Sequence, residues 1–233
     1  MESPAALRTE VLGRYATQLT WRERPAAERV PTGIAELDAV AEGLPRGAIT
    51  EIHGPASSGR TSLLLSMLSE AAGRGEVCAL VDADDRLDPA AAAAAGAELS
   101  RLLWVRCGGN AEHALKAVDM LINAGGFGLI VLDLGEVAPG IARRIPLAAW
   151  FRLRRALENT PAMLVVLERE QTVKSCASLV IEMRREAVAW SGAPGCSRLL
   201  RGLRLEAAPR EAAARPKPAG WERRAEFEAR AIG

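Results

Sequence analysis

The chain has 233 residues, enough for one α/β domain with short extensions, and a domain of this size buries roughly 70% of the surface that its unfolded chain exposes. Its 30 Lys and Arg residues balance 29 Asp and Glu residues, which excludes an overall basic field, so any contact with nucleic acid must be local. Four cysteines and two histidines without metal-ligand spacing, and no uncharged run that could span a bilayer, predict a cytoplasmic protein without structural metal or membrane contact.

Near the N-terminus, apolar residues recur at helical spacing between Pro4 and Leu19, which predicts a helix. The stretch that follows, up to Val30, contains proline and many charges and has the composition of a linker. We divide the chain into this helical arm with its linker (residues 1–30), a core domain (31–208) and a C-terminal part (209–233). The arm is either a docking helix for another protomer or partner, or a helix folded onto its own domain.

A glycine-rich sequence, GPASSGRTS, fills residues 54–62 between an apolar strand-like run and an apolar helix-like run. Gly54 and Gly59 have the spacing of a phosphate-binding loop, G-x-x-x-x-G-K-[ST]. The amide groups between them can converge on an anion, and the following helix adds the positive end of its dipole. The candidate nucleotide-binding residues here are Gly54, Pro55, Ser57, Ser58, Gly59, Arg60, Thr61 and Ser62.

Residue 60 is the one position of the loop that departs from this pattern, because arginine stands where the pattern has lysine. Arginine keeps the charge but replaces a compact ammonium group with a broad planar fork. We therefore expect the architecture of the loop without its full chemistry. Either arginine at position 60 has a function of its own, or it is a neutral replacement of lysine in a chain that is rich in arginine. Thr61 stands where the hydroxyl that ligates Mg²⁺ belongs.

The order of short motifs from Pro31 to Ser62 resembles the opening of the RecA-type ATPase core. A threonine-glycine turn is followed by a short helix containing Leu37-Asp38, a G-L-P-x-G segment, a strand and the phosphate loop. The resemblance implies an α/β fold with a RecA-like P-loop core, in which helices flank a mostly parallel central sheet. It also implies ATP and Mg²⁺ as the ligands of the loop.

Two acidic positions further along the chain fit the same core. Asp84 follows the apolar strand Val77–Asp82, where the resemblance implies a glutamate that activates the attacking water. Asp84 is thus a candidate catalytic residue, although its side chain is one methylene shorter than that of glutamate. Equally, it could be a capping and solvating residue ahead of a helix. The uninterrupted apolar strand Phe127–Asp133 resembles the Walker B strand, so Asp133 is expected to hold Mg²⁺ together with Thr61.

Arginine is concentrated locally in the loop Leu134–Pro146, which takes the place of the first DNA-binding loop of RecA, and in the helix predicted after it. These residues could contact DNA phosphates or an acidic partner, or they form a solvated helix face that needs no further explanation. The candidates are Arg143, Arg144, Arg152, Arg154 and Arg155.

The strand Ala162–Leu167 ends in Glu168-Arg169, where RecA-type recombinases have an Asn-Gln pair whose glutamine senses the γ-phosphate. Only eight residues, Glu170 to Ala177, lead to the next strand, so the second DNA-binding loop is essentially absent.

Strand-like pieces at 188–190 and 199–205 flank a Gly-Ala-Pro-Gly turn, which predicts a C-terminal antiparallel hairpin. Residues 209–233 have the composition of a Pro-rich linker and a flexible tail.

A RecA core with these departures resembles the ImuA family, RecA-related accessory proteins of bacterial damage-induced mutagenesis. The resemblance implies a non-recombinase regulator of SOS mutagenesis and DNA repair, which contacts RecA and an ImuB-type polymerase-like protein to promote translesion synthesis near the nucleoid. We expect weak or vestigial nucleotide binding and no productive ATPase, with contact to single-stranded DNA left open. The alternatives are an active DNA-dependent ATPase of the RecA-paralogue class and a SulA-like cell-division inhibitor.

Overall fold

The structure, a computed structural model, describes residues 28–192, 198–211 and 223–230. Residues 1–27, which include the predicted N-terminal helix, lie outside the described residues, as do residues 193–197, 212–222 and 231–233. The strands of the described part are β1 (Arg29–Val30), β2 (Leu44–Pro45), β3 (Ile49–His53), β4 (Cys78–Asp82), β5 (Leu102–Arg106), β6 (Leu129–Asp133), β7 (Met163–Glu168), β8 (Leu179–Ser191), β9 (Leu199–Glu211) and β10 (Ala225–Arg230).

Helices alternate with the strands through most of the core. They are α1 (Ala35–Ala41), α2 (Arg60–Gly73), α3 (Pro89–Ala94), α4 (Ala111–Ala124), α5 (Pro139–Ala142) and α6 (Leu147–Leu157), and 3-10 turns lie at Leu99–Arg101 and Lys174–Cys176. Local signals fix several helix ends. Asp88 and Asn110 accept hydrogen bonds from the first free amides of α3 and α4, and Gly125 ends α4 with φ of 70°.

One eight-stranded sheet runs through the domain in the order β10-β9-β8-β3-β7-β6-β4-β5. The strands from β8 to β5 pair in parallel, while β9 and β10 add antiparallel pairs at one side. Parallel neighbours require crossover connections, which the helices supply, and their burial on both faces explains the uninterrupted apolar sequences of β6 and β7. The predicted fold class, a mostly parallel sheet flanked by helices with a C-terminal antiparallel hairpin, is confirmed.

Each face of the sheet has its own apolar core. On one face, α2 buries Leu63, Leu64 and Met67 against the central strands and the C-terminal strands. On the other face, α4 and α6 pack together, and Trp150 of α6 is fully buried. The phosphate loop and the helix that follows it are thus fixed between a central strand and a large apolar core.

The C-terminal part is more ordered than the sequence indicated. The strand piece predicted at 188–190 belongs to the same long strand as Leu179–Met183, β8, which continues through two bulges. Residues 209–211, where we expected a linker to begin, belong to β9. Ala225–Arg230, expected in a flexible tail, is the edge strand β10, because its alternating sequence places Ala225 and Phe227 on the core face beside β9.

We predict that Phe227→Ala lowers the free energy of unfolding by about 3 kcal/mol, since it removes a buried aromatic ring from the edge strand. Urea denaturation of the full chain measures the change. Glu228→Ala is the matched control on the exposed side of β10 and should change stability by less than about 0.5 kcal/mol. Equal, small effects of both substitutions would show that β10 does not contribute to the fold.

Candidate nucleotide-binding site

The phosphate loop connects an interior strand to a long helix. β3, between β8 and β7 in the sheet, ends at His53, and α2 begins at Arg60. The intervening residues lie at the carboxyl edge of the sheet, where open α/β sheets bind their ligands. The structure therefore places the predicted loop in the location that its sequence pattern requires.

Two glycines in the loop are required by close contacts with the C-terminal strands. A Cβ atom at Gly54 would lie 2.3 Å from the carbonyl oxygen of Met183. Gly59 has φ of 92°, which favours glycine, and a Cβ there would lie 2.3 Å from Cδ1 of Leu205. The sequence pattern predicted that these glycines leave room for phosphate. The structure adds that they also leave room for strands β8 and β9, which pack against the loop.

The remaining loop residues differ in exposure. Pro55, Ser57 and Thr61 are exposed, and Ser62 is half-buried at the start of α2. Ser58 is buried, and its Oγ has no hydrogen-bond partner among the described residues. A buried hydroxyl without a partner is rare, and a phosphate oxygen would satisfy it. These residues thus fit a phosphate group, and Thr61 is free to reach a metal ion beside it.

The Arg60 side chain is engaged by the protein itself. Its Nη1 and Nη2 atoms each lie 3.3 Å from the carbonyl oxygen of Gly135, and Nη2 lies 3.9 Å from Oε1 of Glu136. Burial lowers the pKa of Arg60, while the charges of Asp133 and Glu136 oppose that shift. Glycine at 135 permits this approach, because a Cβ there would lie 2.6 Å from Nη1 of Arg60.

Arg169, the residue in the predicted sensor position, binds the same loop. Its Nε donates to the carbonyl oxygen of Gly135 at 3.0 Å, and its Nη2 pairs with Glu136. Arg60 and Arg169, which both depart from the RecA pattern, therefore share one carbonyl acceptor. Gly135 and Glu136 were not among the residues predicted from the sequence, since nothing in their spacing marks them as the partners of two arginines that are distant in the chain.

Asp133 ends β6 directly beside Asp82 of β4. Its Oδ1 accepts a hydrogen bond from the Gly135 amide at 2.8 Å. The pKa of Asp133 is raised to about 6, chiefly by burial and also by the nearby Asp82 and Asp84, while the Gly135 amide and Arg60 oppose the rise. The candidate Walker B carboxylate thus lies beside the phosphate loop, and its negative charge is poorly compensated without a cation.

Asp82 and Asp84 have different environments. Asp82 is buried, and its Oδ2 accepts hydrogen bonds from the Arg86 and Leu87 amides and from Nε1 of Trp104, so it holds the turn after β4. Asp84 is half-buried, and its Oδ2 has no hydrogen-bond partner among the described residues. Burial, and then Asp82 and Glu136, raise the pKa of Asp84. Its catalytic role stays a prediction, but the carboxylate is not occupied as a helix cap.

A buried carboxyl pair lies under the turn that carries Arg169. Oε1 of Glu51 accepts hydrogen bonds from the Thr172 amide at 2.6 Å and from the Val173 amide at 3.0 Å. Burial, and then the adjacent Glu51, raise the pKa of Glu168 well above its ordinary value. Glu168 also accepts a hydrogen bond from the Thr172 hydroxyl. This pair holds the connection from β7 to β8 in place. The one signal for it in the sequence is a glutamate inside the apolar strand β3.

The five predicted contact arginines do not form one unpaired basic surface. Arg143 pairs with Glu170, and Arg152 lies 3.4 Å from a carboxylate oxygen of Asp119. Arg154 of α6 lies 3.9 Å from Glu158, the residue after the helix, whereas the exposed Arg144 and Arg155 form no ion pair among the described residues. Their contact with DNA or a partner stays a prediction.

Within residues 28–192, 198–211 and 223–230, no group of three or more His, Cys, Asp or Glu side chains could hold a metal ion, and no helix could cross a membrane.

Comparison with known proteins extends these observations. The family model of the RecA N-terminal domain matches residues 12–143. Protein RecA of Brucella anthropi is 34% identical over 158 residues, that of Leifsonia xyli 35% over 163, and that of Ectopseudomonas oleovorans 36% over 156. The matches cover 61%, 63% and 60% of this chain and 44%, 45% and 44% of the relatives, so they span less than half the length of each relative.

We predict that Asp133→Asn stabilises the protein at neutral pH. The folded pKa of about 6 lies above the ordinary value of 3.8, so the protonated carboxyl stabilises the fold at low pH and this contribution is lost as pH rises through about 6. Asparagine can still accept the Gly135 hydrogen bond but carries no charge. The variant should therefore gain up to about 3 kcal/mol over wild type above pH 6.5.

Urea denaturation of both proteins between pH 4 and pH 8 measures this difference. The advantage of Asp133→Asn should shrink to near zero as pH falls toward 4. A difference that does not depend on pH, or that increases toward low pH, would contradict the assignment of Asp133 as an uncompensated carboxylate.

Proposed function

The chain belongs to the RecA N-terminal domain family, and from this membership we propose that it is a regulator of damage-induced mutagenesis and not a recombinase. In this role, as in the ImuA family that its sequence resembles, it contacts RecA and an ImuB-type polymerase-like protein and promotes translesion synthesis. It acts in the cytoplasm, beside the nucleoid. Its phosphate loop binds ATP with Mg²⁺ weakly, through Thr61 and Asp133.

The observation that carries this proposal is the engagement of Arg60 by the loop after β6. Phosphoryl transfer is catalysed mainly by positive charge preorganised around the phosphates. Here the one cationic side chain of the phosphate loop is directed to Gly135 and Glu136. A nucleotide would have to recruit that charge away from its present partners, which favours weak binding and slow hydrolysis on a retained scaffold.

The short connections at the carboxyl edge also support a role without strand exchange. The connection from β7 to β8 contains only residues 169–178. Glu51 binds the Thr172 and Val173 amides within it, and Cys176 in the following 3-10 turn is buried. A short connection that is bonded to the central strand has little freedom to reorganise around a DNA strand. We therefore assign partner binding, and not DNA pairing, as the main activity.

A working ATPase is the second candidate, and one observation favours it. Oδ2 of Asp84 and Oγ of Ser58, which have no hydrogen-bond partner in the described part of the chain, lie in the segments that would face a nucleotide. Asp84 could orient an attacking water if a substrate brought the water within hydrogen-bond distance. Under this alternative the chain hydrolyses ATP, and single-stranded DNA stimulates the reaction.

We predict that ATP hydrolysis by the wild-type protein stays at the background rate, with and without single-stranded DNA. Phosphate release at saturating Mg²⁺-ATP measures the rate. Thr61→Ala and Asp133→Ala should leave that rate unchanged under our proposal. A turnover that both substitutions abolish would instead establish the ATPase alternative.

We predict that the purified protein changes the ATPase or strand-exchange rate of preformed RecA filaments and co-purifies with a polymerase-like partner. Both assays should give the same result with Arg60→Ala, provided that its circular dichroism spectrum shows a folded protein, because the regulatory role depends on surface contacts. No effect on RecA filaments, together with no co-purified partner, would refute the proposed function.

A further inference from the structure

Four loops meet at the carboxyl edge of the sheet because β3, β7, β6 and β4 are neighbours in that order. Each loop contributes one charged side chain to a single cluster, formed by Arg60, Arg169, Glu136 and Arg86. Oε1 of Glu136 lies 3.9 Å from Nη2 of Arg60, and its Oε2 lies 3.8 Å from Nη2 of Arg86 and accepts a hydrogen bond from Arg169. One carboxylate is thus surrounded by three guanidinium groups.

Arg60 requires a negative partner in this position. It is 8% exposed, and a buried guanidinium is strongly destabilising unless an anion or several acceptors compensate it. Asp133 is close, but its Oδ1 already accepts a hydrogen bond from the Gly135 amide. Glu136 is the more accessible partner, because its side chain is 33% exposed and lies on a loop. Its charge can leave the cluster without disturbing the sheet.

The adjacent phosphate loop has polar groups that could bind an anion. The buried Ser58 hydroxyl has no partner among the described residues, and Gly59 adopts the left-handed conformation that opens the N-terminus of the 14-residue helix α2. Free amides at the start of a helix attract negative charge. The anion that completes these groups would also be within reach of Arg60, whose guanidinium is attached to the same turn.

We propose that Arg60, Arg86 and Arg169 form one polyphosphate-binding site with the phosphate loop, and that Glu136 occupies it as an internal anion until a polyphosphate displaces it. The ligand class is a polyphosphate chain, either free or as part of a nucleotide. This inference deepens the proposed function and rests on it for the use of a nucleotide. It adds a cause for weak binding, namely that every ligand competes with a carboxylate of the protein.

The cluster could instead be a salt-bridge network that only stabilises the loops, and the two interpretations predict different results. In a purely stabilising network, loss of the Glu136 charge lowers stability and leaves anion affinity unchanged or weaker. In a site filled by an internal anion, the same loss lowers stability and increases affinity. Lower stability combined with tighter binding is therefore the signature of the proposed site.

The experiment compares wild type with Glu136→Gln by calorimetric titration of inorganic tripolyphosphate and, in a second arm, of Mg²⁺-ATP. We expect Glu136→Gln to bind at least one of them about tenfold more tightly, the lower end of the coupling energies of close charge pairs. Its melting temperature without ligand should fall by about 3 °C and recover when the ligand is saturating. A gain with tripolyphosphate identifies the polyphosphate chain itself as sufficient, and a gain with Mg²⁺-ATP alone shows that the nucleoside also contributes.

Glu170→Gln is the matched control, because Glu170 pairs with Arg143 at the same edge of the sheet and forms no ion pair with the cluster. It should leave both affinities within about twofold of wild type. Glu136→Asp, which keeps the charge on a shorter side chain, should give an intermediate affinity. Unchanged or weaker binding by Glu136→Gln, an equal gain with Glu170→Gln, or no binding by either protein would each overturn the inference. None of these outcomes alters the RecA filament assay, so the proposed function can fail or stand separately.

Discussion

The contact between the Arg60 guanidinium and the Gly135 carbonyl joins the phosphate loop to the loop that follows the candidate magnesium ligand Asp133. Much of the site depends on it. Gly135 must lack a side chain for Arg60 to approach, and Asp133 receives its hydrogen bond from the same glycine. Asp133 and Glu136 supply the negative charges that offset the burial of Arg60. An arginine in place of lysine is thus accommodated by a specific set of neighbours.

The parallel sheet is what brings these neighbours together. Loops that follow β3, β4, β6 and β7 come from positions far apart in the chain, and the strand order places them side by side at one edge. The antiparallel strands on the other side have a supporting role, since Leu205 of β9 fills the space behind Gly59. The same architecture that positions a nucleotide in an active ATPase here holds a set of internal ion pairs. A small number of side-chain differences can therefore change the surroundings of the phosphate loop without a change of fold.

Most of the fold could be predicted from the sequence, because its signals are local. Apolar runs mark the buried parallel strands, and the spacing of Gly54 and Gly59 marks the loop between β3 and α2. The edge strand β10 was missed because it is short and charged, although Phe227 alternates with exposed residues in a strand pattern. The contacts of Glu136 could not be predicted, since they arise where separate loops meet in three dimensions. The raised pKa of Glu168 depends in the same way on burial beside Glu51.

The central claim is that the cation of the phosphate loop is held by the protein's own anion and carbonyl groups. Crystal structures of the protein alone and with a non-hydrolysable ATP analogue and Mg²⁺ test it most directly. We expect Arg60 within hydrogen-bond distance of the Gly135 carbonyl in the free protein, and Glu136 displaced from the arginines when the analogue is bound. A free structure in which Arg60 extends over an open loop, or a complex in which Glu136 keeps its position beside Arg60 and Arg169, would contradict the account.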